Sequence, residues 1–152
     1  MTANSIAALL PDEHIELALR AADKSAALAS LASKAAGLSA QPYAVLLAAL
    51  TAREALGSTG IGHGIAVPHA RIAGFSRLFG LFARLHKPLA FDAIDGQPVD
   101  LIVLLLSPAE ANAEHLATLA AISRWLRDKT VADRLRTAAS VAAVRALLPL
   151  GA

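Results

Sequence analysis

The chain has 152 residues, the length of one ordinary domain, and a domain of that size can bury a real core without disulfide staples. Hydrophobic residues make up 56% and charged residues 17%, which is globular composition and excludes a disordered chain. The formal net charge is only +2 and the basic residues are scattered, so the electrostatic footprint of nucleic-acid binding is weak and no such binding is expected.

Aromatic residues contribute only 4%, so the core has to be built from Leu, Ala, Val and Ile. The absence of cysteine removes disulfides, thiolate metal sites and thiol redox chemistry. The longest apolar run, residues 101–106, is far short of the roughly 18 residues that a membrane-spanning helix needs. Thr2, Ala3, Asn4 and Ser5 follow Met1 with no basic stretch before an apolar one, so no secretory signal is expected. A cytoplasmic protein without membrane insertion is the simplest expectation.

In chain order, Ile15, Leu17 and Leu19 alternate within residues 14–20 and predict a short strand. Asp23 can cap a helix reaching about Ala36, with Leu28, Leu31, Ala32 and Ala35 on one stripe and Gly37 as its stop. Ser39 and Pro42 mark the next start, and Tyr43, Leu46, Leu47 and Leu50 recur at helical spacing until Gly57. Short extended pieces follow at 65–67, 78–85 and 101–106, the last reading as a central strand buried on both faces. Residues 91–98, with Asp95-Gly96 inside, predict a tight turn. Helices are expected again at 115–129, at 131–138 and from a Ser140 cap to near Pro149. No internal repeat or linker divides the chain, so the fold class is α/β: a single-domain sandwich with a central mixed β-sheet flanked by helices.

Residues 57–70 carry the chemistry. Gly57, Gly60, Gly62 and Gly64, with Ser58 and Thr59 among them, form a backbone that can approach a ligand and aim N–H groups at an anion. The loop is neither a Walker A motif nor a GxGxxG fingerprint, because His63 and Gly64 stand where Lys and Ser/Thr would be required. His69 follows Pro68 at the end of an extended Ile65-Ala66-Val67 segment, and Pro68 stiffens the stalk that presents the ring. An imidazole nitrogen is a good phosphoryl acceptor near neutral pH, since much of it is unprotonated there. On residue chemistry alone the loop could equally be a turn before a strand, and His69 an ordinary surface histidine.

The stretch 54–70 closely resembles the active-site signature of type-2 phosphotransferase-system (PTS) EIIA domains, the mannitol/fructose-like and nitrogen-regulatory group. Glu54, Ile61, Gly62, Ile65, Ala66, Val67, Pro68, His69 and Ala70 fall where that pattern wants them. Residues 91–106 and Glu114-His115-Leu116 with Leu119 extend the likeness over nearly the whole chain, implying an EIIA domain over 6–149 and an N-terminal tail over 1–5. The resemblance implies that His69 is the phosphorylated residue, through Nε2, and that His115, opening the helix after the central strand, contacts the phosphoryl group. It implies that Arg53 lends charge near the site, and that Ser58 and Thr59 offer hydroxyl donors to phosphate. No cofactor is implied, and five histidines do not make a metal site here, because His63 and His69 lack a recognised ligand spacing. His63 is expected at the pocket rim; His14 and His86 are expected at the surface.

The leading expectation is a phosphohistidine carrier near the nitrogen-regulatory IIA(Ntr) branch, fed by an HPr-like phosphocarrier (NPr). Its targets would be partner proteins such as a transporter or a sensor kinase. A IIA component of a sugar permease, passing phosphate to a IIB domain, is the alternative within the family. A histidine-dependent hydrolase and a pure interaction module are the alternatives outside it, and no G-x-S-x-G elbow or carboxylate dyad accompanies the histidines to favour the former. The donor is expected to dock on an apolar rim formed by Ile61, Ile65 or Ala70, with Arg71 as a charged contact.

Overall fold

A computed structural model describes residues 6–149; the expected tail, residues 1–5, lies outside the described residues. A short helix α1 (Ile6–Leu9) and a 3-10 turn (Asp12–His14) lead into strand β1 (Ile15–Leu19). Helices α2 (Lys24–Ser39) and α3 (Tyr43–Ala55) follow, then strands β2 (Gly60–Gly62), β3 (Ile65–Ala66), β4 (His69–Ile72), β5 (Phe79–Leu89) and β6 (Val99–Pro108). Helices α4 (Asn112–Arg127), α5 (Lys129–Thr137) and α6 (Val141–Arg145) close the chain. The six strands form one mixed sheet in the order β1-β5-β6-β3-β2, with β4 also on β6.

The long apolar strand β6 is central, as its composition predicts, and its period of two sorts its side chains between two cores. Ile102, Leu104 and Leu106 pack with Leu28, Leu31, Leu46 and Leu50 of α2 and α3. Leu101, Val103 and Leu105 pack on the other side with Ile122, Trp125 and Leu126 of α4, Leu135 of α5 and Val144 of α6. Each of these leucines is fully or almost fully buried, so each stabilises the fold by roughly 1.5–3 kcal/mol before entropy is counted. The expected α/β sandwich with helices on both faces is therefore the observed one.

Strands β3 and β4 are one strand interrupted at Pro68. Both run parallel to β6 in a single register, Ile65 opposite Leu101 and His69 opposite Leu105. Pro68 has no N–H to give the ladder, yet its carbonyl still accepts from Leu105 N at 3.0 Å. The interruption leaves His69 as the first residue of the resumed strand, and it places residues 65, 67, 69 and 71 on the face that α4 covers.

Several helix boundaries differ from expectation, two of them for a clear local reason. Gly37 does not stop α2, which runs on to Ser39 and ends where Ala40 turns left-handed at φ 58°. A glycine inside a helix costs only about 1 kcal/mol, whereas Pro42 forbids continuation and biases Gln41 toward extended backbone. Ser39 belongs to that last turn, its hydroxyl donating to Ala35 O at 2.6 Å, and does not begin the next helix. At α4 the helix opens at Asn112, so His115 is its fourth residue and its own N–H already donates to Ala111 O.

Candidate functional site

The site is assembled from the last turn of α3, the start of β4 and the first turn of α4. His69 is half-buried. Its Nδ1 lies 2.9 Å from Val67 O, and since a carbonyl only accepts, Nδ1 carries the proton. Nε2 therefore presents its lone pair, and it accepts from Arg53 Nε–H at 3.2 Å. Arg53 is anchored in turn by a bond from Nη1 to Gly57 O at 2.8 Å, so the guanidinium bridges the glycine loop and the imidazole. His115 faces His69 with ring centroids 5.4 Å apart; it is only 5% exposed, and its Nδ1 is 2.6 Å from the Ser107 hydroxyl. The three residues expected to surround the phosphoryl group, His69, His115 and Arg53, thus come together.

The glycine loop is held by the chain's own groups. Glu54 accepts from Thr59 N at 3.1 Å and from the Thr59 hydroxyl, and pairs with Lys24 Nζ at 2.9 Å. The Ser58 hydroxyl donates to Phe91 O and accepts from Gly60 N. In this arrangement both hydroxyls are engaged inside the loop. A side chain at Gly60 would stand 2.9 Å from Ala93, and one at Gly64, where φ is +80°, would stand 2.6 Å from the Arg136 guanidinium. These two glycines are required by the close approach of residues 91–95 and of Arg136, which also pairs with Asp100 and donates to His63 O.

His63 is exposed, its N–H donating to Asp95 at 2.9 Å, and His86 is exposed as expected. His14 is not a free surface group: its Nδ1 lies 2.6 Å from Gly80 O and its ring rests on Phe79. Among the described residues no group of three or more His, Asp or Glu converges as a metal site, and no helix is long and apolar enough to cross a membrane.

Burial pushes the His69 pKa down, and the positive charges of Arg53 and Arg71 push the same way, against the Val67 carbonyl and Glu54. His115 is driven to about 4, first by burial and then by His69 and Arg71. Both rings are neutral at neutral pH, and the stability consequence has a definite sign. Above the unfolded value of 6.5 neither state protonates His115. As pH falls from 6.5 toward 4 the unfolded chain takes the proton first, so stability is lost across that window and no further below it. Thr118 Oγ1 is the only completely buried, unpartnered side-chain polar atom among the described residues, so the unbonded Nε2 of His115 reaches solvent. That contact holds the loss to on the order of 2 kcal/mol. Urea midpoints measured across this window should fall less steeply for His115→Asn than for the wild type; equal slopes would contradict the burial argument.

Sequence reasoning missed Glu54 and Lys24 as the brace of the loop, and it missed Ser107. A signal for Ser107 existed: it is the polar residue that ends an otherwise apolar buried strand, where a hydroxyl needs a partner. Of the expected docking residues, Ile65 is 1% exposed and Ala70 8%, so neither can meet a partner, because their side chains belong to the two cores. The most exposed large apolar groups are instead Leu56 just after α3, Leu116 beside His115 on α4 and Ile94 in the turn against the glycine loop.

A family model described as "Phosphoenolpyruvate-dependent sugar phosphotransferase system, EIIA 2" matches residues 8–149. A nitrogen regulatory protein of Bradyrhizobium diazoefficiens is 44% identical over 142 residues, 93% of this chain and 93% of its own. A nitrogen regulatory protein of Escherichia coli K12 is 46% identical over 118 residues, 77% of this chain and 72% of its own. The crystal structure of nitrogen regulatory protein IIA-Ntr from Neisseria meningitidis has a TM-score of 0.90 at 38% identity, covering 95% of this chain and 99% of that one. The resemblance drawn from residues 54–70 holds along nearly the whole chain.

Proposed function

The chain belongs to the type-2 EIIA family of the phosphoenolpyruvate-dependent sugar phosphotransferase system, and from that premise we propose that residues 6–149 act as one phosphohistidine carrier of the nitrogen-type branch. It accepts a phosphoryl group on His69 from an HPr-like donor such as NPr and regulates partner proteins by its phosphorylation state; a transporter or a sensor kinase fits that role. A cytoplasmic location follows from such partners. The observation that carries this reading is the proton distribution on His69, whose Nδ1–H is held by Val67 O while Nε2 keeps its lone pair beside a cation. The nitrogen regulatory relatives put this reading ahead of a permease component that passes phosphate to a IIB domain.

In the transfer step the N–P bond of the donor phosphohistidine breaks, its electron pair returns to the donor ring, and Nε2 of His69 forms the new N–P bond. The Nδ1 proton stays on His69, where Val67 O steadies the positive ring. Arg53 Nε–H gives up Nε2 as phosphorus approaches, and the guanidinium fork turns to the phosphoryl oxygens. His115 lends a further hydrogen bond. Ser58 and Thr59 act on the phosphoryl group through the loop they hold. Such catalysis is positioning and charge stabilisation, which these residues supply without a cofactor. Incubation with a phosphoenolpyruvate-fed relay ending in an HPr-like donor should put acid-labile phosphate on His69; no label, or label elsewhere, would contradict the reading.

The donor docks over Leu56, Ile94 and Leu116 with Arg71 as the charged contact. Arg71→Glu should slow transfer while leaving the fold intact, because Arg71 is exposed. The docking part of the loss should shrink as salt screens long-range attraction. The effect on the two rings, which Arg71 also biases, should persist. Wild-type transfer rates for this variant across a salt series would remove Arg71 from the docking face.

A further inference from the structure

On β6 the residues at 101, 103, 105 and 107 share the face that α4 covers. Leu101, Val103 and Leu105 fill the core beneath that helix. Ser107, next in the row and opposite Arg71 of β4, is fully buried and meets His115 instead. The 2.6 Å contact between its hydroxyl and Nδ1 can be made in two ways. Either Ser107 donates to Nδ1, or Nδ1–H donates to Ser107.

The second arrangement leaves the hydroxyl proton of Ser107 in a fully buried place with no acceptor, since His115 is its only partner among the described residues. It would also turn a lone pair on His115 Nε2 toward the oxygens of an arriving phosphoryl group. The first arrangement satisfies the hydroxyl and puts the remaining ring proton on Nε2, the atom that reaches solvent. We propose that Ser107 is a positioning residue that donates its hydroxyl proton to His115 Nδ1 and so holds His115 in the Nε2–H form, as a hydrogen-bond donor to the phosphoryl group on His69. This rests on the carrier reading of His69. The two histidines then carry opposite tautomers: His69 keeps its proton at Nδ1 so that Nε2 can bond phosphorus, and His115 keeps its proton at Nε2 so that it can hold an oxygen. One backbone carbonyl and one serine hydroxyl set the difference.

Long-range proton–nitrogen spectra of nitrogen-15-labelled wild-type protein at neutral pH read the tautomers directly. The expected result is an acceptor-type Nδ1 and a protonated Nε2 on His115, with the reverse on His69. In Ser107→Ala the His115 ring should populate both tautomers and phosphoryl transfer to His69 should slow by about 3- to 10-fold. Ser107→Thr, which keeps the hydroxyl, should restore both readouts. A protonated Nδ1 on His115 of the wild type overturns the assignment without any variant, and an unchanged tautomer in Ser107→Ala does the same. If wild-type His69 takes no phosphate from the relay, the carrier reading fails, and the donor role of His115 with it. If His69 is labelled but His115 shows the wrong tautomer, the Ser107 assignment fails alone.

Discussion

Replacing His69 with Ala is expected to abolish acid-labile phosphorylation while the protein stays folded. The ring is half-buried and makes two hydrogen bonds, one to Val67 O and one from Arg53. Neither closes the fold: Arg53 keeps its second anchor on Gly57 O, and the strand on which His69 sits is fixed by Ala70 and Ile72 in the core and by its ladder to β6. The loss of stability should be about 1 kcal/mol, which for a domain of this size moves the melting midpoint by roughly 2–4 °C. Loss of label should be complete, because His115 is neutral, deeply placed and bonded through Nδ1 to Ser107. Normal labelling of His69→Ala, measured beside its melting curve, would defeat the acceptor assignment, and a variant that no longer melts cooperatively would show that the ring has a core role.

The parts of this molecule that were legible in the sequence are those in which a single period dominates. The six apolar residues at 101–106 read as a strand buried on both faces, and the stripes of α2 and α3 had matching cores to meet. Pro68-His69 was legible because proline constrains its neighbours wherever it stands. Strands β2 and β4 were not, because a three-residue strand containing two glycines and a four-residue strand that begins at His69 have no alternation to read. They exist because β3 and β6 offer them ladder partners. The roles of Ser58, Thr59 and Glu54 were hidden for a related reason. A hydroxyl in a glycine-rich loop looks like a ligand donor until the carboxylate that engages it is seen five residues away in another element. The same holds for Ser107, which reads as the end of an apolar strand and is in fact the partner of the His115 ring.

Replacing His115 with Ala should leave His69 as the phosphorylated residue and slow the transfer by roughly ten- to a hundredfold. His115 is poorly placed to act as a nucleophile. Its ring is 5% exposed, its pKa sits near 4 and its Nδ1 is taken by Ser107, so no stiff stalk and no free nucleophilic nitrogen present it to a donor. What it can do is offer Nε2–H beside a group 5.4 Å away, centroid to centroid, in a place that the first turn of α4 makes favourable to an anion. A hydrogen bond to a charged group is worth about 1.5–3 kcal/mol, and if it is fully formed in the transition state its removal costs that range of rate. The variant also removes the acceptor of the Ser107 hydroxyl, so a stability loss of about 1–3 kcal/mol is expected beside the kinetic one, and rates should be compared well below its melting midpoint. Arg53 still steadies the phosphoryl oxygens in the variant, which is why the rate falls instead of vanishing. Peptide mapping by mass spectrometry under non-acidic conditions, together with single-turnover transfer rates, decides the division of labour. Phosphate found on His115 of the wild type would reverse the two roles, and an unchanged rate in His115→Ala would leave that ring a packing partner of Ser107 alone.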